Sequence, residues 1–112
     1  MAYQRCLLEM GTGVDLHGKN YTKAAQRAVE DALRHCSLSF PRVFGAGTEA
    51  MRVEVTIGVQ EPNEVEEDSV LSALPYGEKH INVVAGGLNV PNDSGTDATV
   101  IANAAIIVSM DV

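Results

Sequence analysis

The chain has 112 residues, 46% hydrophobic and 21% charged, which is enough apolar material for one packed domain over 1–112 and too much for a disordered segment. Fifteen acids against eight bases leave a formal charge of −7, which excludes a protein that grips nucleic acid by neutralising phosphates. Two cysteines, Cys6 and Cys36, are too few and too far apart for a disulfide framework. Neither a signal pattern nor an apolar run of membrane length is visible, so the expectation is a cytoplasmic protein with reduced, buried thiols and no membrane partner.

Tyr3 to Glu9 mixes aromatic and aliphatic residues and runs into glycines, so it is predicted as a first strand. It feeds the stretch Gly11-Thr12-Gly13-Val14-Asp15-Leu16-His17-Gly18, predicted as a loop, which holds three glycines, a carboxylate and an imidazole in eight residues. From Tyr21 to Cys36, Ala25, Ala28, Val29, Ala32, Leu33 and Cys36 recur at helical spacing. Asn20 fits the N-cap of that helix, and the offsets of Arg27 to Asp31 and Glu30 to Arg34 suit ion pairs on its exposed face.

Ser37 to Ala50 has no sustained period and reads as a surface connection, with a short extended piece near Arg42 to Phe44. Met51 to Gln60 alternates, with Met51, Val53, Val55, Ile57 and Val59 on one side, as a half-buried strand does. Pro62-Asn63 stops it. Glu64, Glu66 and Glu67 then open a short helix through Val70, Leu71 and Leu74, which ends at Pro75-Tyr76-Gly77. His80 to Val90 is predicted as a third strand, whose Gly86-Gly87 pair signals a bulge or a close approach by backbone or ligand. After a turn-rich loop from Pro91 to Asp97, Val100 to Met110 closes the chain as a strand, apolar at every even position.

The expected fold is α+β, in the order β-α-β-α-β-β: a two-layer sandwich of a four-stranded mixed sheet with two helices on one face. The other sheet face has no cover from within the chain. Ile101, Ala105 and Ile107 fall on it, so a homo-oligomer is predicted.

Three chemistries compete for Gly11 to Gly18. A dinucleotide fingerprint fails, because Leu16 stands where the third glycine of Gly-x-Gly-x-x-Gly belongs. A phosphate cradle would use Gly11, Thr12, Gly13 and Gly18 as ligand-binding backbone, with Gly86 and Gly87 as a second approach, but Asp15 opposes a bare anion. A divalent metal site would take Asp15 and His17, two apart and so on one side of an extended segment, with further ligands from Glu9, His35, His80, Asp93 or Asp97. Glu9 is the candidate general base. The plain alternative is structural: a carboxylate that caps a turn and an imidazole satisfied by a carbonyl.

The motif Gly-x-Gly-x-Asp-x-His-Gly, carried by Gly11, Gly13, Asp15, His17 and Gly18, resembles the signature of a small conserved hypothetical family named after a Lin-type locus tag. That family has no assigned activity. The same residues, with Val53 to Pro62, Ile81-Asn82-Val83 and the final strand, are similar to methylerythritol cyclodiphosphate synthase. This second resemblance implies a Bacillus chorismate mutase-like fold, a trimer, and a divalent metal, zinc first, on Asp15 and His17 at a subunit interface. It departs at Arg27, where the synthase family has its third metal ligand, at Asn63 in place of a lysine, and at Ala85 to Asn89 in place of a threonine-rich run. Those departures argue against the synthase reaction itself. What they leave is a metal-dependent enzyme of lyase or hydrolase type for a small polar metabolite, or a non-catalytic oligomeric binding or scaffold protein.

Overall fold

The computed structural model describes residues 3–34, 51–74 and 78–111. The sequence expectations for His35, Cys36, the 37–50 connection and Pro75-Tyr76-Gly77 lie outside these residues, as does the side chain of Cys6. The described elements are β1 (Tyr3–Asp15), α1 (Tyr21–Arg34), β2 (Met51–Val59), a single 3₁₀ turn (Pro62–Glu64), α2 (Glu67–Leu71), β3 (Glu78–Ala85), β4 (Leu88–Pro91) and β5 (Ala98–Asp111). The fold is mixed α+β, as expected. No helix among the described residues is long and apolar enough to cross a membrane.

The sheet holds five strands among the described residues, where the sequence suggests four. Its order is β1-β5-β2-β3, with β4 paired to β5. β5 runs antiparallel to both β1 and β2, and β3 lies parallel to β2. The fifth strand arises where the segment 80–90 is cut at Gly86-Gly87. Up to Ala85 the chain pairs with β2; from Leu88 it pairs with β5 instead, beyond the end of β2. The chain therefore changes lanes across the end of β2.

The two glycines permit that crossing. The N–H of Gly86 donates to the Val59 carbonyl at 2.9 Å, and the Gln60 side-chain amide donates to the carbonyls of Gly86 and Gly87. A Cβ on Gly87, whose φ is +60°, would lie 2.1 Å from the Ile101 carbonyl oxygen. Of the approaches expected at Gly86-Gly87, the structure shows a backbone one.

Alternation sorts each strand into a covered and an open face. Val53, Val55, Ile57 and Val59 of β2 are buried, as are Val100, Ala102, Ala104, Ile106, Val108 and Met110 of β5, so both predicted periods hold. Against them pack Ala24, Ala25, Ala28, Val29 and Ala32 of α1, with Val70 and Leu74 from the shorter helical segment. Asn20 caps α1 as expected: its Oδ1 accepts from the Lys23 N–H at 2.9 Å.

Candidate functional site

The predicted loop begins later than the glycines suggest. β1 continues through Gly11, Thr12 and Gly13 to Asp15, paired residue by residue with β5 down to Asp15 opposite Val100. Gly11 and Gly13 lie on its covered face, directly beneath α1. A Cβ on Gly11 would sit 2.3 Å from the Ala28 carbonyl oxygen, and one on Gly13 would sit 2.0 Å from that of Ala24. Real Cβ contacts essentially never fall under 3.0 Å. These two glycines, with the alanines opposite them, let helix and strand approach backbone to backbone. Gly18 differs: it has φ +88° with open space around its Cα, so it is there for the turn.

Asp15 ends β1 on the same covered face and is 5% exposed. Its Oδ2 accepts from the Asn20 N–H at 2.9 Å, which closes the bend of residues 16–20 onto the start of α1. Its Oδ1 lies 3.6 Å from the Arg27 guanidinium, and the same Arg27 donates to the Val14 carbonyl. On the other side of the Arg27 position, Asp31 Oδ2 accepts from the Thr12 N–H at 3.0 Å and Asp31 also pairs with Arg34 at 3.9 Å. So Arg27 and Asp31, expected to serve each other on the exposed helix face, reach across to β1. They satisfy backbone groups along its outer edge.

His17 falls past the end of β1, in the bend, where strand alternation no longer governs its direction. Its side chain is 89% exposed, with Nδ1 3.8 Å from Asp97 Oδ2. Asp97 accepts from the Gly18 N–H at 3.0 Å and from the Ala98 N–H at 2.8 Å. The Gly18 bond, then the Ala98 bond, hold the Asp97 carboxyl below its ordinary value of 3.8. The structure thus brings together His17 and Asp97, two of the residues proposed from the sequence, around the Gly18 turn.

The other candidates are dispersed. Glu9 lies six residues before Asp15, about 20 Å along β1 at roughly 3.3 Å per residue, too far to work with Asp15 or His17 in one subunit. His80 sits on β3, 3.6 Å from Glu78, and Asp93 is in the exposed 92–97 loop. Among the described residues no group of three or more His, Cys, Asp or Glu is placed to share a metal ion. The Asp15 and His17 pair does not fit a metal on its own terms. One carboxylate oxygen is taken by backbone, the other faces a guanidinium that already supplies positive charge, and the imidazole points into solvent toward a different acid.

Sequence reasoning missed the open sheet face as a shaped surface. Leu8 is 52% exposed and Met10 69%, and Val84, Leu88 and Val90 are exposed as well. Between them lies a depression of about 520 Å³ floored by Thr56, Gly58, Asn103 and Ala105 and walled by Met10 and Val84. Alternation along residues 8–14 carried the signal, because Leu8, Met10, Thr12 and Val14 fall opposite Gly11 and Gly13.

A family model described as "Conserved hypothetical protein (Lin0512_fam)" matches residues 5–108. The chain belongs to this family. Among solved structures, the family member is similar to a crystal structure from Nostoc punctiforme described as an FtsZ-like protein of unknown function. The two are 37% identical with a TM-score of 0.89, over 100% of this chain and 99% of that one. No curated protein matches the chain. The family reading made from Gly11, Gly13, Asp15, His17 and Gly18 is thereby supported across almost the whole chain, and the family description assigns no activity.

Proposed function

We propose that the chain is the subunit of a homo-oligomeric, non-catalytic binding or scaffold protein, with a trimer as the expected assembly. The observation that carries this reading is the uncovered sheet face, where Leu8, Met10, Val84, Leu88 and Val90 stand exposed beside half-buried Ile101, Ala105 and Ile107. Exposed apolar side chains gathered on one sheet face of a chain of 112 residues mark an interaction site. The residues that an enzyme reading would need at Gly11 to Asp15 are engaged in helix docking and loop closure, which supports a structural role for the motif. Sedimentation velocity of untagged protein at micromolar concentration tests the proposal. A single oligomeric species is expected, and a monomer across the whole concentration range refutes it.

A metal-dependent enzyme is the second reading, favoured by one observation: His17 and Asp97 meet at 3.8 Å at the exposed end of the sheet. A divalent ion, zinc as the first candidate, would draw its remaining ligands from another copy. Elemental analysis of untagged protein prepared without chelator, beside the His17→Ala/Asp97→Ala double variant, tests it. Stoichiometric metal in the native protein that is absent from the variant supports this reading, and metal-free native protein refutes it.

A further inference from the structure

We infer that the subunits of this protein recognise one another ridge into groove, the Leu8–Met10 ridge of one copy seating in the depression over Gly58, Asn103 and Ala105 of another. The inference rests on the oligomeric reading above and adds which surfaces meet. The occupant is a second copy of this chain for three reasons, each independent of the others.

The first is shape. β1 carries large side chains, Leu8 and Met10, at successive open-face positions on one side of the face. The neighbouring lanes carry Ile107 and Glu54 level with Leu8, but smaller residues level with Met10 and Thr12: Ala105 and Asn103 on β5, Thr56 and Gly58 on β2. Ridge and hollow lie side by side on one face, so the ridge of each copy can enter the hollow of the next around a closed ring. A Cβ on Gly58 would meet Gly86 at 3.5 Å, an ordinary contact, so the fold does not force a glycine there as it does at Gly13.

The second is charge. By strand register the open face bears Arg5, Arg52, Glu54 and Glu78, with His80 beside them, and Asp31 lines the depression. Arg52 Nε donates to Glu78 Oε2 at 3.1 Å within that set. The chain as a whole carries −7, so most of the excess negative charge lies elsewhere and two copies repel least when these faces meet.

The third is that stretches of both outer edges of the sheet are unsuited to pairing. Along the outer edge of β1, Asp31 takes the Thr12 N–H and Arg27 takes the Val14 carbonyl. The outer strand at the opposite end, β3, opens with Glu78, Lys79 and His80, charged residues of the kind that discourage strand addition. Extension of the sheet is disfavoured at the Thr12–Val14 stretch of β1 and at the start of β3, and the exposed Leu8, Met10 and Val84 stand on the face instead.

The test places a photo-crosslinking benzophenone amino acid at position 10 and mixes isotopically labelled with unlabelled copies, so that links between subunits can be told from links within one. Links from position 10 to the 56–58 or 103–105 stretch of another copy are expected. A second variant, Ala105→Trp, fills the hollow from a side chain that points away from the core; with an unchanged circular dichroism spectrum it should raise the subunit dissociation constant by about tenfold or more. Inter-subunit links to other surfaces, or an Ala105→Trp protein as tightly associated as the native one, overturn the inference while leaving the oligomeric reading intact. A native protein that is monomeric by sedimentation overturns both.

Discussion

Replacing Gly13 by alanine tests what the glycines of the motif are for. The added Cβ would lie 2.0 Å from the Ala24 carbonyl oxygen and 2.3 Å from the Ala28 nitrogen, and both are backbone atoms of α1. No rotamer change relieves such a contact, and no smaller side chain on the helix rescues it. The helix must therefore retreat from β1 by roughly 1 Å or more, and a gap of that size forfeits about a quarter to a half of each dispersion contact across it. Overpacking costs about 1–3 kcal/mol in general, and a backbone clash places Gly13→Ala at or above the upper end, about 3 kcal/mol or more. That is a large part of the roughly 5–15 kcal/mol by which a domain is stable. At about 4 °C per kcal/mol for a chain of this length, Tm should fall by roughly 10 °C or more. Thermal and urea unfolding followed by circular dichroism measure it, with Gly18→Ala as the control, since Gly18 has only its φ of +88° to defend and nothing within 4 Å. That control should lose about 1–2 kcal/mol. A Gly13→Ala protein within about 2 °C of the native Tm would contradict the helix-docking account and return the glycines to a ligand.

Two further predictions concern the ends of the same segment. Asp15→Ala removes the acceptor of the Asn20 N–H and the partner of Arg27; since Arg27 is partly solvated, the loss should be about 1–3 kcal/mol, mostly from the unsatisfied backbone donor, and Asp15→Asn should recover much of it in the same unfolding assay. Loss of Asp15 without change in stability would mean that the carboxylate is kept for something other than closing the bend. Asp97 has a folded-state pKa below its ordinary 3.8, so its contribution to stability is present above 3.8 and disappears as pH falls through the lower, folded value. The Gly18 amide resonance, followed by NMR, should therefore shift with a midpoint below pH 3.8 and should lose that titration in Asp97→Asn. An amide indifferent to acid in that range would contradict the bond.

How much of this was legible in the sequence follows from how local each signal is. The alternation of β2, the even-position apolar residues of β5 and the α1 period each depend on one segment, and among the described residues the structure buries those they select, Leu33 being half-buried. The cap at Asn20 is local as well. Strand order is not: that β5 lies between β1 and β2 depends on contacts across most of the chain, and nothing in the β1 segment announces its neighbour. The cut at Gly86-Gly87 looked like a bulge because a lane change and a bulge ask for the same residues. The Asp15 and His17 side chains part for a geometric reason. Two residues that are two apart share a side only while the strand lasts, and β1 ends at Asp15.

The motif itself then takes on a different meaning. Residues 8–15 alternate between side chains that face α1 and side chains that face outward, and the inward positions Gly11 and Gly13 are emptied so that the helix backbone can rest on the strand. A strand that meets its helix with no side-chain thickness has no room on that face for a ligand. What β1 contributes to function must come from the outward positions Leu8, Met10, Thr12 and Val14, between and beside the glycines that draw the eye. The two faces of one strand should therefore separate experimentally. Substitution at Gly13 should lower Tm, and what association remains in the folded fraction should still use the same surface. Substitution of Met10 by a polar residue should weaken association while leaving the unfolding of the subunit nearly unchanged, because its side chain is 69% exposed and supports nothing in the core. If Met10 and Gly13 variants instead fail together, in both stability and association, the strand acts as one unit and the division between its faces is wrong.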